Sequence, residues 1–478
     1  MQTKKPSFVQ QCKDHDSLVH KLLTYGVGIL LTIVAILVSP GAEGTVDPRF
    51  GWLIIAFLFY YALMSGRILE TLIFGTFIGV GLMYGKDIFT GLSDSLFEQM
   101  MSEDFVWIVL LVGLLGVFCK LLAKAGCTKA FAKIVRKYAK NEKSLKLVTW
   151  LMQFPLFFDD YMHMTVGGKI MTPLYDEMGV PREDCAFLIQ ANAMPIRVLF
   201  PITSWCAFLA GAIESGGVDG MSTFFATIPF SFYAWVSVIG SLLFALGVIP
   251  KLGKMKTPRP DLYLPLDESD DDSVGTLWDF FLPIIAMIVV AALNEWDLVP
   301  ALVIVTPFMF IYYMLRGIIK TEDVEGCLVE GFSDFMQLFV LFVFSYTLGG
   351  VLSGTGYVDH LVEIASSTVN PHLLPVMLFV LFAISEAAMS LNWTLMLIAF
   401  PVVIPLAVGI GANVALTAAA VISAGAVGYS FCYIADSTNL TSGATGLPSN
   451  HHAATAVPYV IIFAVITALL YLGAGFIF

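Results

Sequence analysis

Apolar residues in this chain recur in blocks of about twenty, close to the length a helix needs to cross a hydrocarbon core about 30 Å thick. Such blocks cover 22–40, 50–64, 68–84, 105–123, 224–249, 279–293, 299–315, 335–352 and 456–477. The short alternating segments of a membrane β-barrel are absent. Four further blocks, 147–174, 186–213, 373–399 and 414–445, are apolar but interrupted by polar residues, with Pro155 in the first and Pro195 and Pro201 in the second. They predict broken or re-entrant helices, because non-helical backbone at membrane depth is tolerated only where protein or a water-filled cavity covers it. The pattern predicts an all-α polytopic membrane protein.

Charge adds an orientation. The densest basic stretch, Lys124 to Lys146, a second at Lys251, Lys254, Lys256 and Arg259, and a third at Arg316 and Lys320 contrast with acidic turns at Glu43–Asp47, Asp87–Asp104, Glu214–Asp219 and Glu295–Asp297. Basic loops favour the cytoplasmic side, which places the N-terminus in the cytoplasm. The first apolar run, Leu22 to Val38, exceeds a signal-peptide core and lacks a small-residue cleavage site, so it reads as a retained span. Under this rule the spans starting at 22 and those starting at 224 match one for one in opposite directions. Two inverted repeats are therefore predicted, 1–223 and 224–478, with a polar cytoplasmic linker at 257–273. Gly91-Leu-Ser-Asp answers Gly331-Phe-Ser-Asp, and Ile189-Gln-Ala-Asn-Ala lies over Ile422-Ser-Ala-Gly-Ala without a gap. That register sets Thr203-Ser204 on Asp436-Ser437. Inverted duplication is common among secondary transporters, whose sites form at broken helices.

Candidate chemistry follows from what is polar inside those blocks. Asp159 and Asp160 stand in Phe154-Pro-Leu-Phe-Phe-Asp-Asp-Tyr, far from any loop signal. Intramembrane carboxylates are costly and by default functional. Adjacent carboxylates repel, which favours keeping one protonated and suits a group that trades a proton for a cation; the alternative is a capped helix end at the interface. Asp436, Ser437, Thr438, Asn439 and Thr441 gather hard oxygens of the kind sodium takes, unless the stretch is a solvated loop. Glu386, with Asn392 about two turns on, falls opposite Asp160. Arg197 must find a partner: either a structural carboxylate or the carboxylate of a substrate, which its fork would hold beside Asn192. His163, one turn past Asp160, is either a proton relay or a structural residue, and His451-His452 read as part of a loop.

Composition excludes other classes. The chain of 478 residues is 58% hydrophobic and 13% charged, with a mean hydropathy of +0.83. The net charge of -12 argues against nucleic acid as a partner. The seven cysteines have no zinc or CxxC spacing. No Walker A sequence, arginine-repeat voltage sensor, potassium-filter signature or HExxH run appears. An enzyme is not predicted, nor any cofactor beyond transported Na+ and H+.

Phe157-Phe-Asp-Asp-Tyr, Thr165-Val-Gly-Gly, Met171-Thr-Pro-Leu-Tyr-Asp with Arg182-Glu, Pro201-Ile-Thr-Ser-Trp and Ala435-Asp-Ser-Thr, spread over residues 90–460, together resemble the NhaC family of sodium/proton antiporters. The resemblance implies a scaffold plus a moving transport domain (an elevator), membership of the ion-transporter superfamily, a homodimer and a bacterial cytoplasmic (inner) membrane location. It implies sodium binding through Asp159, Asp160, Asp436, Ser437 and Thr438, with Thr203 and Ser204 as further site residues. Asn192 and Arg197 stand where the family is usually uncharged, and Asn439 and Thr441 extend its second motif. The expected activity is Na+/H+ exchange; the alternative is Na+- or H+-coupled movement of a small organic acid or amino acid. Membrane lipid, sodium and protons are the expected partners.

Overall fold

A computed structural model of the chain describes residues 22–41, 46–65, 67–126, 128–157, 162–266, 275–294, 297–334, 336–389, 393–432 and 435–478. Asp159, Asp160, Asn392 and the acidic run Asp267–Asp272 lie outside the described residues, and Asp436 is described by its backbone alone. Among the described residues every regular element is helical.

The chain opens with a π-turn, Leu22–Gly26, that runs into α1 (Val27–Val38), followed by α2 (Gly51–Ser65) and α3 (Ile68–Tyr84). An amphipathic helix, α4 (Ile88–Met100), leads to α5 (Glu103–Ala125), whose N-terminus is capped by Ser102 Oγ accepting from Phe105 N at 3.2 Å. Gly126, at φ +55°, ends α5 in the left-handed conformation that glycine adopts without strain. The basic α6 (Thr128–Tyr138) precedes α7 (Glu142–Met152), which starts at an Asn141–Ser144 capping box. A π-turn at Met162–Val166 then enters α8 (Gly167–Glu177).

Next come α9 (Arg182–Gln190), α10 (Ala193–Leu199) and α11 (Ser204–Glu214), with a 56° bend between Arg182–Leu199 and Ser204–Glu214. The predicted single span 224–249 is instead a bent pair: α12 (Gly220–Thr227) and α13 (Phe232–Ala245) meet at 44°. Pro229 explains the difference, since it sits in the 3-10 turn Ile228–Phe230 and has no N–H to continue a helix.

The second half contributes α14 (Leu277–Leu293), α15 (Leu298–Leu315), α16 (Asp323–Asp334), α17 (Met336–Gly354), α18 (Tyr357–Thr368), α19 (Leu374–Met389) and α20 (Trp393–Ile410). It ends in α21 (Val414–Phe431), α22 (Asp436–Thr445) and α23 (Ser449–Ile477). His451 and His452 belong to the first turn of α23, which corrects their assignment to a loop. Five helical stretches are long and apolar enough to cross a membrane, and the two bent pairs raise that to seven. The chain is thus a multi-pass, all-α membrane protein.

Two groups of helices emerge from the packing. In one, α3 lies along α17 and α5 against α15 and α16. Small residues set these approaches, as in other membrane interfaces: a Cβ on Gly79 would stand 2.3 Å from Val351 Cγ1, and one on Gly331 would stand 2.6 Å from Val117 Cα. In the other, α7 to α10 gather with α13, α19 and α21 to α23. In it α19 and α21 pack extensively and meet at Gly428, where a Cβ would come within 2.8 Å of the Glu386 Cβ. Helices α11 and α20 touch both groups.

Candidate functional site

A helix broken inside a membrane strands backbone carbonyls that need partners. At the α9–α10 junction the side chains supply them. Asn192 Nδ2 donates to Leu188 O (2.6 Å), His163 Nε2 to Ile189 O (3.2 Å) and Ser237 Oγ to Ala191 O (2.6 Å). Ser241 Oγ holds Asn192 Oδ1 at 3.1 Å. Asn192 and His163 therefore stitch the break, and among the described residues His163 acts as a donor to backbone, in line with the structural alternative.

The next interruption, before α11, is closed by Thr203. Its Oγ1 accepts from Cys206 N (2.9 Å) as a helix cap and donates to Arg197 O (3.1 Å). Arg197 is fully buried in α10, with Nη1 donating to Ala193 O one turn back. Ser204, also buried, opens α11.

The break between α21 and α22 is built in a similar way. Ser437 Oγ donates to Tyr429 O (2.7 Å) and Thr438 Oγ1 donates to Cys432 O (2.9 Å). Gln190, the last residue of α9, reaches across to it: Nε2 donates to Tyr429 O (3.0 Å) and to Thr438 Oγ1 (2.8 Å), while Oε1 faces His452 Nε2. The two broken helices are thereby fastened to each other. Further along α22, the Thr441 and Ser442 hydroxyls are buried without a hydrogen bond among the described residues, as is Gln153 Oε1 at the end of α7.

Among the described residues the structure joins the breaks that carry Asn192 and that carry Ser437 and Thr438 through Gln190. The π-turn Met162–Val166, which begins two positions after Asp160, packs against α22, the helix that Asp436 opens. A Cβ on Gly168 would meet the Ala444 Cβ at 2.5 Å, so α8 and α22 touch backbone to backbone. Glu386 is fully buried where α19 meets α21. Asn439 departs from the group, being exposed. Among the described residues no group of three or more His, Cys, Asp or Glu side chains could share a metal ion.

Sequence reasoning gave no site role to Gln190, to His452 or to a charged knot at the start of α9. Arg182, Glu183 and Asp184 are all buried. Asp184 pairs with Lys146 (2.7 Å) and Lys251 (2.8 Å), and Arg182 grips Asp176 through both carboxylate oxygens (2.8 and 2.7 Å). Glu183 accepts from Tyr263 OH (2.6 Å) and Arg259 N (2.9 Å) and pairs with His451 (3.0 Å). Burial, and then the hydrogen bond to Glu183, hold the Tyr263 phenol well above its ordinary range. The signals available were the unbroken charge triplet beside an apolar block and the family-like stretch that holds Asp176 and Arg182-Glu.

Comparison with known proteins agrees with this architecture. Residues 278–476 match the Na+/H+ antiporter family. An uncharacterised protein of Haemophilus influenzae is 26% identical, over 77% of this chain and 78% of its own length. Among solved structures, MtrF of Neisseria gonorrhoeae, described as illuminating a class of antimetabolite efflux pumps, superposes with a TM-score of 0.57 at 15% identity, covering 81% of this chain and 83% of its own. The YdaH transporter of Alcanivorax borkumensis gives 0.55 at 14% identity, covering 81% of this chain and 88% of its own. Those two likenesses concern the fold. The chain is a multi-pass membrane protein whose residues 278–476 are similar to the Na+/H+ antiporter family, which supports a secondary transporter.

Proposed function

We propose that the chain exchanges sodium for protons across the bacterial cytoplasmic membrane by alternating access, in the manner of the NhaC type. The observation that carries this reading is the packing of the Met162–Val166 turn, which follows Asp159 and Asp160 in the chain, against the helix that starts at Asp436. Carboxylates from two broken segments then serve one site, where Na+ and H+ compete for the same oxygens. Buried hydroxyls of α22 (Ser437, Thr441 and Ser442) and Gln153 Oε1 add hard ligands of the kind sodium takes. Thr438 and Thr203 shape the breaks around it.

Two inverted repeats fit this reading. Helix α16 of the second half packs on α5 of the first, and α4 of the first packs on α17 of the second. These are the helices that carry Gly331-Phe-Ser-Asp and Gly91-Leu-Ser-Asp. A homodimer with cytoplasmic N-termini is part of the same proposal.

The test uses purified protein in proteoliposomes with an internal pH dye. External NaCl alone should move protons, and Asp160→Asn should abolish that movement while the protein still inserts and remains monodisperse. Retained exchange in that variant would remove Asp160 from the mechanism.

A second reading, coupled transport of a small carboxylate, is favoured by the buried Arg197 beside the first break and by the likeness to MtrF. It predicts proton movement only when an organic acid or amino acid is added.

A further inference from the structure

The Gln190–His452 bridge has a consequence for the candidate site that the buried carboxylates do not explain. A carboxamide has two donors on nitrogen and an acceptor oxygen. Tyr429 O is an acceptor only, so the group facing it at 3.0 Å is Nε2. The second Nε2 hydrogen goes to Thr438 Oγ1 at 2.8 Å. Oε1 is therefore turned to His452, and His452 must donate from Nε2. Both side chains are buried, 1% exposed for Gln190 and fully buried for His452.

This network fixes which way two hydroxyls at the break point. Thr438 accepts from Gln190, so its own hydrogen goes to Cys432 O at 2.9 Å. Ser437 sends its hydrogen to Tyr429 O at 2.7 Å, which leaves its lone pairs turned away from the backbone. Tyr429 O and Cys432 O, carbonyls at the end of α21, are saturated by these donors. The Ser437 and Thr438 hydroxyls thus have their hydrogens committed to backbone carbonyls and keep oxygen lone pairs free beside the start of α22. Oxygen lone pairs held in this way are ligands a small hard cation takes.

We infer that Gln190 and His452 are positioning residues that orient the Ser437 and Thr438 hydroxyls at the second break for a sodium ion. The inference rests on the exchange reading for its link to transport, but ion binding can be measured apart from exchange. Two variants carry the test. Gln190→Leu removes the donors to Tyr429 O and Thr438 Oγ1. His452→Leu leaves Gln190 Oε1 without a donor, whereas His452→Gln restores one at nearly the same place.

Exchange is measured in proteoliposomes as a function of NaCl. Sodium binding is measured on the same purified proteins as the rise in unfolding temperature with NaCl relative to choline chloride. Gln190→Leu and His452→Leu should raise the half-saturating sodium concentration by about tenfold or more, the scale of one lost buried hydrogen bond. His452→Gln should stay near the wild-type value.

Variants that lower the maximal rate or the unfolding temperature, yet leave half-saturation unchanged, would overturn the inference and leave exchange standing. Sodium stabilisation of the wild type that is lost in Gln190→Leu, without any exchange, would sink the exchange reading and keep the inference. A wild type that sodium neither stabilises nor drives would overturn both.

Discussion

Tyr263 is a linker residue whose hydroxyl does two tasks, donating to Glu183 Oε2 at 2.6 Å and accepting from Arg182 N at 3.1 Å. Its ring also carries the Arg182 guanidinium at 4.8 Å. Tyr263→Phe keeps the ring contact and removes both hydrogen bonds, leaving a buried carboxylate with one donor fewer. The expected cost is about 1–3 kcal/mol, read as a lower unfolding temperature with wild-type ion half-saturation. The sign of the pH dependence follows from the raised phenol. A group whose pKa is higher folded than unfolded contributes fully below the unfolded value and loses that contribution as pH rises. Tyr263 should therefore leave stability flat between about pH 7 and 9 and reduce it only above roughly pH 10, where a free phenol ionises. A loss in the Tyr263→Phe variant that grew between pH 7 and 9 would contradict this. None of these contacts was legible in the sequence, because each joins residues about eighty positions apart and periodicity reports only neighbours.

At the scale of elements, the apolar runs were legible because a span is a local property of about twenty residues. Helices α5, α15 and α17 lie close to their runs for that reason. The breaks were also legible, since prolines and polar residues interrupt apolar blocks. What escaped was the amphipathic pair α4 and α16, whose charges read as loop, and the bend at Pro229, which was passed over within a long apolar run. The packing of α16 on α5 depends on glycine: a Cβ at Gly331 would come within 2.6 Å of Val117 backbone, and one at Gly113 would meet the Phe332 ring at 2.1 Å. Backbone cannot yield as a side-chain tip can. Gly331→Val should therefore separate the two helices, costing about 1–3 kcal/mol, and disturb the pairing of Lys120 with Glu330 at 2.9 Å. Gly326→Ala on the same helix, where a Cβ meets only the tip of Glu330 at 4.0 Å, should be neutral. Equal unfolding temperatures for the two variants would show that α16 does not pack as described.

For the whole molecule, the candidate site is shared between distant parts of the chain. Gln190 fastens to Tyr429, Thr438 and His452, and Thr172 Oγ1 lies 3.5 Å from Ala444 O. The sequence singled out the segments Asn192 to Ser204 and Asp436 to Thr441 because polar residues stand out in an apolar block. It gave Gln190 no role, since one amide in an apolar helix has many bland explanations and its partners are 239 to 262 positions away.

The knot at Arg182, Glu183 and Asp184 also bears on how the protein is made. Arg182 and Asp184 find Asp176 and Lys146 already made, but the partners of Glu183 (Arg259, Tyr263 and His451) and the second partner of Asp184, Lys251, are translated much later. The nascent first half must therefore hold the Glu183 carboxylate without its partners until the later segments arrive. A fragment ending at residue 223 should be degraded when expressed alone, and it should accumulate when residues 224–478 are supplied as a separate chain. Stable accumulation of the lone fragment would mean that the early half matures without its late-born partners.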